Sequence, residues 1–283
     1  MTEQTITPLV PVNSPEHRAT TKLAGEWAAF GMAVQFLTRV PWPTSELALS
    51  AALARCPVYF PVVGGLIGIV TSVALGIGCL FWPAWLAVLV ALAIEARLTG
   101  AFHEDAVADF CDAFGGGWTR EDVLRILKDS RVGSYGALGL GMAVALRAGT
   151  MLEIIQQAGR HNWLVWGSVI VASSAIGRFV IVVVMVCVPP VASRESLTRD
   201  IGRQLNFQDL LASTCWMLPL ILPYMLQLPV QSMISMAALV PIVVWFMALV
   251  RRRLGGMTGD CLGCICYASM VVVLMATAAR WNP

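Results

Sequence analysis

Charge is what this sequence lacks. Only 13% of its 283 residues are Asp, Glu, Lys or Arg, and 58% are hydrophobic, whereas an average soluble domain carries roughly 25% charge. Most of the chain therefore cannot sit in water as a folded globule, and the mean hydropathy of +0.74 agrees. Excess charge of one sign is also missing. A formal net charge of +2 argues against nucleic acid as a partner. Three histidines are present, and no Ser-His-Asp or Cys-His arrangement emerges from them. Gly133, Gly136, Gly139 and Gly141 follow no strand pattern and precede no GK[ST], which excludes the phosphate-loop fingerprints. The first 22 residues are polar and dotted with proline. They hold no apolar run to serve as a signal peptide, so the N-terminus is expected to stay on the side where it was made. Eight cysteines are present without a secreted disulfide framework. Cys261, Cys264 and Cys266 form a CxxCxC cluster, but no second Cys/His pair has matching spacing, so packing is favoured over zinc.

Long apolar runs are abundant instead. A bilayer core needs about 20 apolar residues per helix, and seven segments qualify: 58–82, 84–100, 135–155, 163–187, 210–227, 230–250 and 262–279. The expected fold is all-α: a polytopic helical membrane protein of about seven spans. Residues 1–57 form a polar N-terminus and an amphipathic helix, and 58–283 form one transmembrane helical domain with a catalytic loop at 101–134. Pro83 and Pro229 mark tight helical hairpins. Gly64 and Gly68 form a GxxxG pair suited to close helix packing. Leu23, Trp27, Phe30, Val34 and Leu37 recur at helical spacing with Glu26 and Gln35 off the stripe, describing a helix that lies on the membrane surface or packs against the bundle. Lys and Arg set the orientation. With the N-terminus in the cytoplasm, Arg39, Arg55, Arg120, Lys128, Arg194 and Arg251 to Arg253 fall inside, and Arg160 and Arg280 fall outside. The expected location is thus a membrane crossed several times, with the polar clusters on its cytoplasmic side, the lipid bilayer as partner and homo-oligomerisation left open.

The polar residues are not scattered. Asp105, Asp109 and Asp112 are spaced i, i+4, i+7, which at about 100° per residue puts them on one narrow helix face. Like charges so placed repel. A hard divalent cation between them relieves that repulsion, and Mg²⁺ commonly takes one or two carboxylates plus substrate phosphates. His103 and Glu104 lie one turn away. Gly115 to Gly117 permit a reversal, after which Thr119 and Asp122 form a capping box. The helix that follows carries Arg125, Lys128, Asp129 and Arg131 and is expected to end at Gly133 in a left-handed cap. Lys128 and Arg131 suit phosphate oxygens, or simply complement the helix dipole. A third cluster runs from Arg251 to Arg253 through GGMTGD to Thr258 and Asp260. Arg147 and Arg178 lie inside spans, where charge faces a bundle interior or a cavity; Glu95 is read as snorkelling from a span end.

Several of these segments resemble a known family. TGAFHEDAVADFCDAFGGG at 99–117 and KDSRVGSYG at 128–136 are similar to the most distinctive segments of cobalamin synthases, the adenosylcobinamide-GDP ribazoletransferases. FLTRVPWP at 36–43, YFPVVGGLIG at 59–68, Gly177–Arg178 and GGMTGD at 255–260 match in order, and SRESLTRDIG at 193–202 follows loosely. The chain departs from the family at Ala106 and Ala113, where glycine is usual, and at Glu104, where an apolar residue is usual. The resemblance implies a phosphotransferase in which α-ribazole or its 5′-phosphate attacks adenosylcobinamide-GDP and GMP leaves. It implies Mg²⁺ on Asp105, Asp109 and Asp112, and substrate contacts from Lys128, Asp129, Arg131, Arg178, Thr258 and Asp260. His103 or one of the aspartates would take the proton. A CDP-alcohol type phosphotransferase, a transporter and a non-catalytic assembly subunit are the competing readings.

Overall fold

The computed structural model describes residues 15–43, 49–191 and 205–280, with side chains described from residue 25 and, after the gap, from residue 52. The polar start of the chain (residues 1–14) and the loosely matching segment 193–202, with Arg194 and Arg199, lie outside the described residues. Among the described residues eleven α-helices follow one another: α1 (Pro15–Leu37), α2 (Leu49–Arg55), α3 (Phe60–Phe81), α4 (Ala84–Thr99), α5 (Phe102–Gly116), α6 (Arg120–Ile126), α7 (Ser134–Ala158), α8 (Trp163–Cys187), α9 (Phe207–Gln227), α10 (Pro229–Leu254) and α11 (Gly259–Ala278). A 3₁₀ turn, Cys56–Tyr59, joins α2 to α3. The all-α expectation holds.

Among the described residues, six stretches are long and apolar enough to cross a membrane, beginning with Ala52–Phe81; a seventh results when α4 and α5, bent 90° at their junction, count as one. The reading of 84–100 as a span and 101–134 as a loop thus needs one change. α4 has only 16 residues, and α5 turns away at Gly100 (φ 75°) and Ala101 (φ 57°). Two successive left-handed residues make the sharp corner. Glycine tolerates this conformation freely, whereas alanine is strained there.

Polar tethers define the two ends of the bundle. At one end, Arg160 donates to the Trp82 carbonyl at 3.0 Å, Gln157 to the Ala278 carbonyl at 2.7 Å, and Arg280 pairs with Glu153 at 2.9 Å. The α3–α4 hairpin, the end of α7 and the end of α11 therefore share this end, which we call distal. The opposite end holds α5, α6 and the Arg251–Arg253 triplet.

α8 and α11 are buried along most of their length, while α7, α9 and α10 turn apolar faces outward. Leu80, Leu226 and Met233 are each more than 70% exposed, as lipid-facing side chains should be. α3 lies against α8 at the GxxxG pair: a Cβ on Gly64 would stand 2.6 Å from the Ser174 carbonyl oxygen, and one on Gly68 2.8 Å from the Val171 Cα. Small residues let the backbones meet where lipid offers no hydrophobic drive for association.

The face that α1 buries includes Phe30, Val34 and Leu37 of the expected stripe but not Trp27. Ala29, Ala33 and Leu37 are buried and Trp27 is 62% exposed, and the helix packs on α2, the 3₁₀ turn and α3. Glu26 rotates that face inward: it accepts from Arg55 at 2.7 Å and from the Tyr59 hydroxyl at 2.7 Å, while Arg55 also reaches Asp209 at 2.9 Å.

Glu95 does not snorkel. It is 2% exposed and faces Arg147, also 2% exposed, with Nη2 at 2.8 and 2.7 Å from the two carboxylate oxygens. The Thr71 hydroxyl lies 2.7 Å from the same carboxylate, and the guanidinium sits 5.3 Å above the Tyr267 ring. Removing one partner of such a pair strands a buried charge at a cost of about 3–5 kcal/mol, whereas apolar replacement of both is often nearly neutral. Glu95→Leu and Arg147→Met singly are therefore expected to lower the melting temperature of the detergent-solubilised protein sharply, and the double variant to recover most of the loss. A double variant as unstable as the sum of the singles would contradict this account. At the corner, Ala101→Gly should stabilise by about 1 kcal/mol through relief of the left-handed strain, read in the same melt.

Candidate active site

α5 is the element on which the distant clusters meet. Its three aspartates share a face but not an environment. Asp105 is exposed, and Asp109 and Asp112 are half-buried. Asp112 is occupied: it accepts from the Gly133 N–H at 2.7 Å and from the Gly136 N–H at 2.8 Å. A carboxylate thus caps the start of α7 from a neighbouring helix, where the positive end of the helix dipole favours it. The glycines are obligatory, since a Cβ would stand 2.5 Å from an Asp112 oxygen at Gly133 and 2.2 Å at Gly136. These glycines look like a spent nucleotide motif in the sequence. In three dimensions they bring α7 down onto the acidic face.

The segment between α5 and α7 is built as expected at its start and differently at its end. Thr119 and Asp122 form the capping box that begins α6. The helix stops at Ile126, and Gly133 is extended (φ −90°, ψ −175°) rather than left-handed, because its N–H is drawn to Asp112. The loop between them presents Lys128 and Arg131 to solvent. Arg131 pairs with Asp129 at 2.6 Å; hydrogen bonds from its side chain and backbone hold the Asp129 carboxyl down at about 2.

A cavity of about 500 Å³ opens beside this face, lined by Arg39, Thr99, Phe102, Glu104, Asp105 and Val132 among others. Arg39 is a residue that the sequence reading assigned only to orientation. The signal for it was present in FLTRVPWP, but its place beside Asp105 comes from the corner: the Arg39 N–H donates to the Leu98 carbonyl at 2.8 Å, and its guanidinium lies over Gly100, where a Cβ would stand 2.5 Å from Nε.

The third cluster converges on α5 as well, but largely for support. Thr258 is buried and caps α11, accepting from the Cys261 N–H at 3.3 Å. Asp260, half-buried, has a carboxylate oxygen 3.4 Å from the Thr258 hydroxyl. Gly263 lies beneath Ala106, where an added Cβ would approach the Ala106 Cβ to 2.4 Å. Arg253 donates to the Gly117 carbonyl and lies 5.6 Å over the Phe114 ring; Arg120 donates to the Leu254 carbonyl at 2.9 Å. Cys261, Cys264 and Cys266 are buried along α11.

His103 and Arg178 face the interior rather than the cavity. His103 is 2% exposed, its Nε2 has no hydrogen-bond partner, and the charges of Arg178 and Arg147 both act on it. Arg178 is 1% exposed, donates to Met270 Sδ at 3.0 Å, and has no carboxylate within ion-pair distance among the described residues. Glu104 reaches Arg147 at 3.8 Å, which gives the charge at this position a partner.

The model of one protein family, cobalamin-5-phosphate synthase, matches residues 29–278. The chain belongs to the cobalamin-5-phosphate synthase family. An adenosylcobinamide-GDP ribazoletransferase of Shewanella baltica is 33% identical over 256 residues, covering 86% of this chain and 94% of that protein. One of Leptospira biflexa is 33% identical over 250 residues, covering 83% and 90%. One of Shewanella frigidimarina is 46% identical over 125 residues, covering 44% and 48%. No solved structure matches.

The donor set bears on whether a Mg²⁺ ion fits here. Among the described residues no three His, Cys, Asp or Glu side chains converge to enclose a metal. Asp105 and Asp109, one helical turn apart, nonetheless suit an ion that uses one or two carboxylates and completes its shell with water and phosphate. Asp112 is committed to backbone amides. Asp112→Asn would put a neutral amide oxygen opposite one of the two N–H groups and an NH2 donor opposite the other, which loses its acceptor at a cost of roughly 1.5–3 kcal/mol. The expected result is faster amide hydrogen exchange at Gly133 and Gly136, with exchange in α11 unchanged. Equal protection in the variant would show that the cap contributes nothing.

Proposed function

We propose that this chain transfers the adenosylcobinamide phosphate group of adenosylcobinamide-GDP to α-ribazole or its 5′-phosphate, releasing GMP, as the last step of cobalamin nucleotide-loop assembly. The observation that carries this reading is the match of residues 29–278 to the family model, joined to a cavity that holds Asp105 and Arg39 in one wall. Phosphoryl transfer needs alignment and charge neutralisation more than covalent help, and this cavity is lined by side chains of both signs of charge.

In the proposed mechanism the ribazole hydroxyl oxygen attacks phosphorus, a P–O bond to the leaving GMP breaks, and the hydroxyl proton passes to a carboxylate of the cavity. Asp105, exposed at the cavity, would take that proton; His103 is enclosed and would act as a positioning residue. Bound at Asp105 and Asp109, Mg²⁺ would supply charge neutralisation for the pyrophosphate. Lys128 and Arg131, on the loop that Asp112 anchors, bind phosphate oxygens, with Arg131 exchanging Asp129 for substrate. Arg39 assists from the lining of the same cavity. Asp260 orients substrate, while Thr258 and Arg178 shape the helices behind it. The end of the bundle that carries α5 faces the cytoplasm of a bacterial inner membrane, in keeping with the Lys and Arg asymmetry.

Purified protein in detergent or liposomes, given adenosylcobinamide-GDP, α-ribazole and Mg²⁺, should release GMP and form cobalamin. Chelation should stop turnover, and Asp105→Asn or Asp109→Asn should lower kcat by roughly a hundredfold or more without changing the melting temperature. Mn²⁺ binding followed by electron paramagnetic resonance should weaken in the same variants. Full turnover in both variants would refute the metal assignment; CMP release from a CDP-alcohol substrate would refute the reaction.

A further inference from the structure

The distal half of the bundle carries a second cavity system that the transfer reaction does not use. A groove of about 470 Å³ runs between α3, α8 and α9, walled by Ile69, Val73, Ile77, Val171, Leu220 and Pro223. Its surface is almost wholly apolar. At its distal mouth lies a second cavity of about 510 Å³, lined by Arg160 and His161. Gly76, Leu80, Trp163 and Trp166 line both, so the two are continuous. Arg160 is held at this mouth by its hydrogen bond to the Trp82 carbonyl at 3.0 Å.

We infer that this groove is a binding site for an anionic phospholipid. One acyl chain lies in the groove and the phosphate headgroup meets Arg160 and His161. Three observations select that occupant. The groove is on the outward side of helices long and apolar enough to span a bilayer, so acyl chains are its neighbours. Among the lining residues of both cavities the one cation, Arg160, sits at the end where a headgroup would lie, and the flanking Trp163 is 63% exposed at the same level, as amphipathic rings are at a membrane interface. Gly76 keeps the groove open: a Cβ there would make only ordinary contact with the Trp166 ring, at 3.5 Å, and any longer side chain would extend into the space.

Native mass spectrometry of the full chain in mild detergent tests this, with phosphatidylglycerol and phosphatidylcholine titrated separately. The wild type is expected to retain one phosphatidylglycerol per protomer. Gly76→Leu should lose that adduct while keeping its elution volume and melting temperature. Arg160→Ala should keep lipid but lose the preference for phosphatidylglycerol by roughly fivefold, the worth of one cationic residue at an anionic surface. A phosphatidylglycerol bearing a photoreactive acyl chain should label peptides of α3, α8 or α9 in the wild type, which tests the site even where Gly76→Leu fails to fold. No adduct, labelling confined to other helices, or an unchanged preference in Arg160→Ala would overturn the assignment. So would a lipid-free dimer cross-linked through this face, which would make a second copy of the chain the occupant.

Discussion

The Glu95–Arg147 pair is the interaction on which this bundle depends. Two opposite charges sit in an interior with no water to solvate them, and each is tolerable only because the other is there. The pair also reaches outward. Thr71 of α3 holds the carboxylate, Tyr267 of α11 lies under the guanidinium, and Glu104 of α5 approaches it from the corner. Five helices are registered against one another through a single buried contact. Apolar packing in a membrane supplies no such register, because lipid tails solvate a leucine face as well as another helix does.

From that register follows the position of α5. The helix leaves α4 at a right angle, and its inner face, with His103 and Ala106, meets the start of α11. Its outer face keeps Asp105 at a cavity. Small residues carry this arrangement: Gly263 under Ala106, Gly136 and Gly133 against Asp112, Gly100 under Arg39. Each is a place where backbone approaches a neighbouring side chain more closely than any Cβ allows. The acidic face is therefore the outcome of close packing on three sides, and its charge is balanced by helix ends and arginines drawn in from far along the chain.

Much of this was legible beforehand, for identifiable reasons. Apolar runs of bilayer length can only be helices, since the backbone has no other way to satisfy its hydrogen bonds in lipid. The i, i+4, i+7 spacing of the aspartates is a statement about helix geometry that folding does not alter. The Thr119–Asp122 box is local and formed as written. What was misread depended on partners distant in sequence. Glu95 lies near a span end and reads as a snorkelling residue until Arg147, 52 residues on, is brought beside it. Trp27 belongs to an apolar stripe until Glu26 turns toward Arg55. Gly133 resembles a helix terminator until Asp112 draws its amide into an extended conformation.

The sequence by itself determined the solvent, the secondary structure and the chemical inventory: a helical membrane protein with carboxylates on one helix face, basic residues to neutralise phosphate, and segments similar to one enzyme family. These follow from composition and short-range periodicity. Only the tertiary structure decided how the inventory is divided. It placed Asp105 at a cavity and Asp112 on a helix terminus, drew His103 and Arg178 into the interior, and added Arg39 to the wall. The physical reason is that burial and pairing are properties of contacts between helices. In a bilayer those contacts are set by a few glycines and one buried ion pair whose meaning appears only when the helices are assembled.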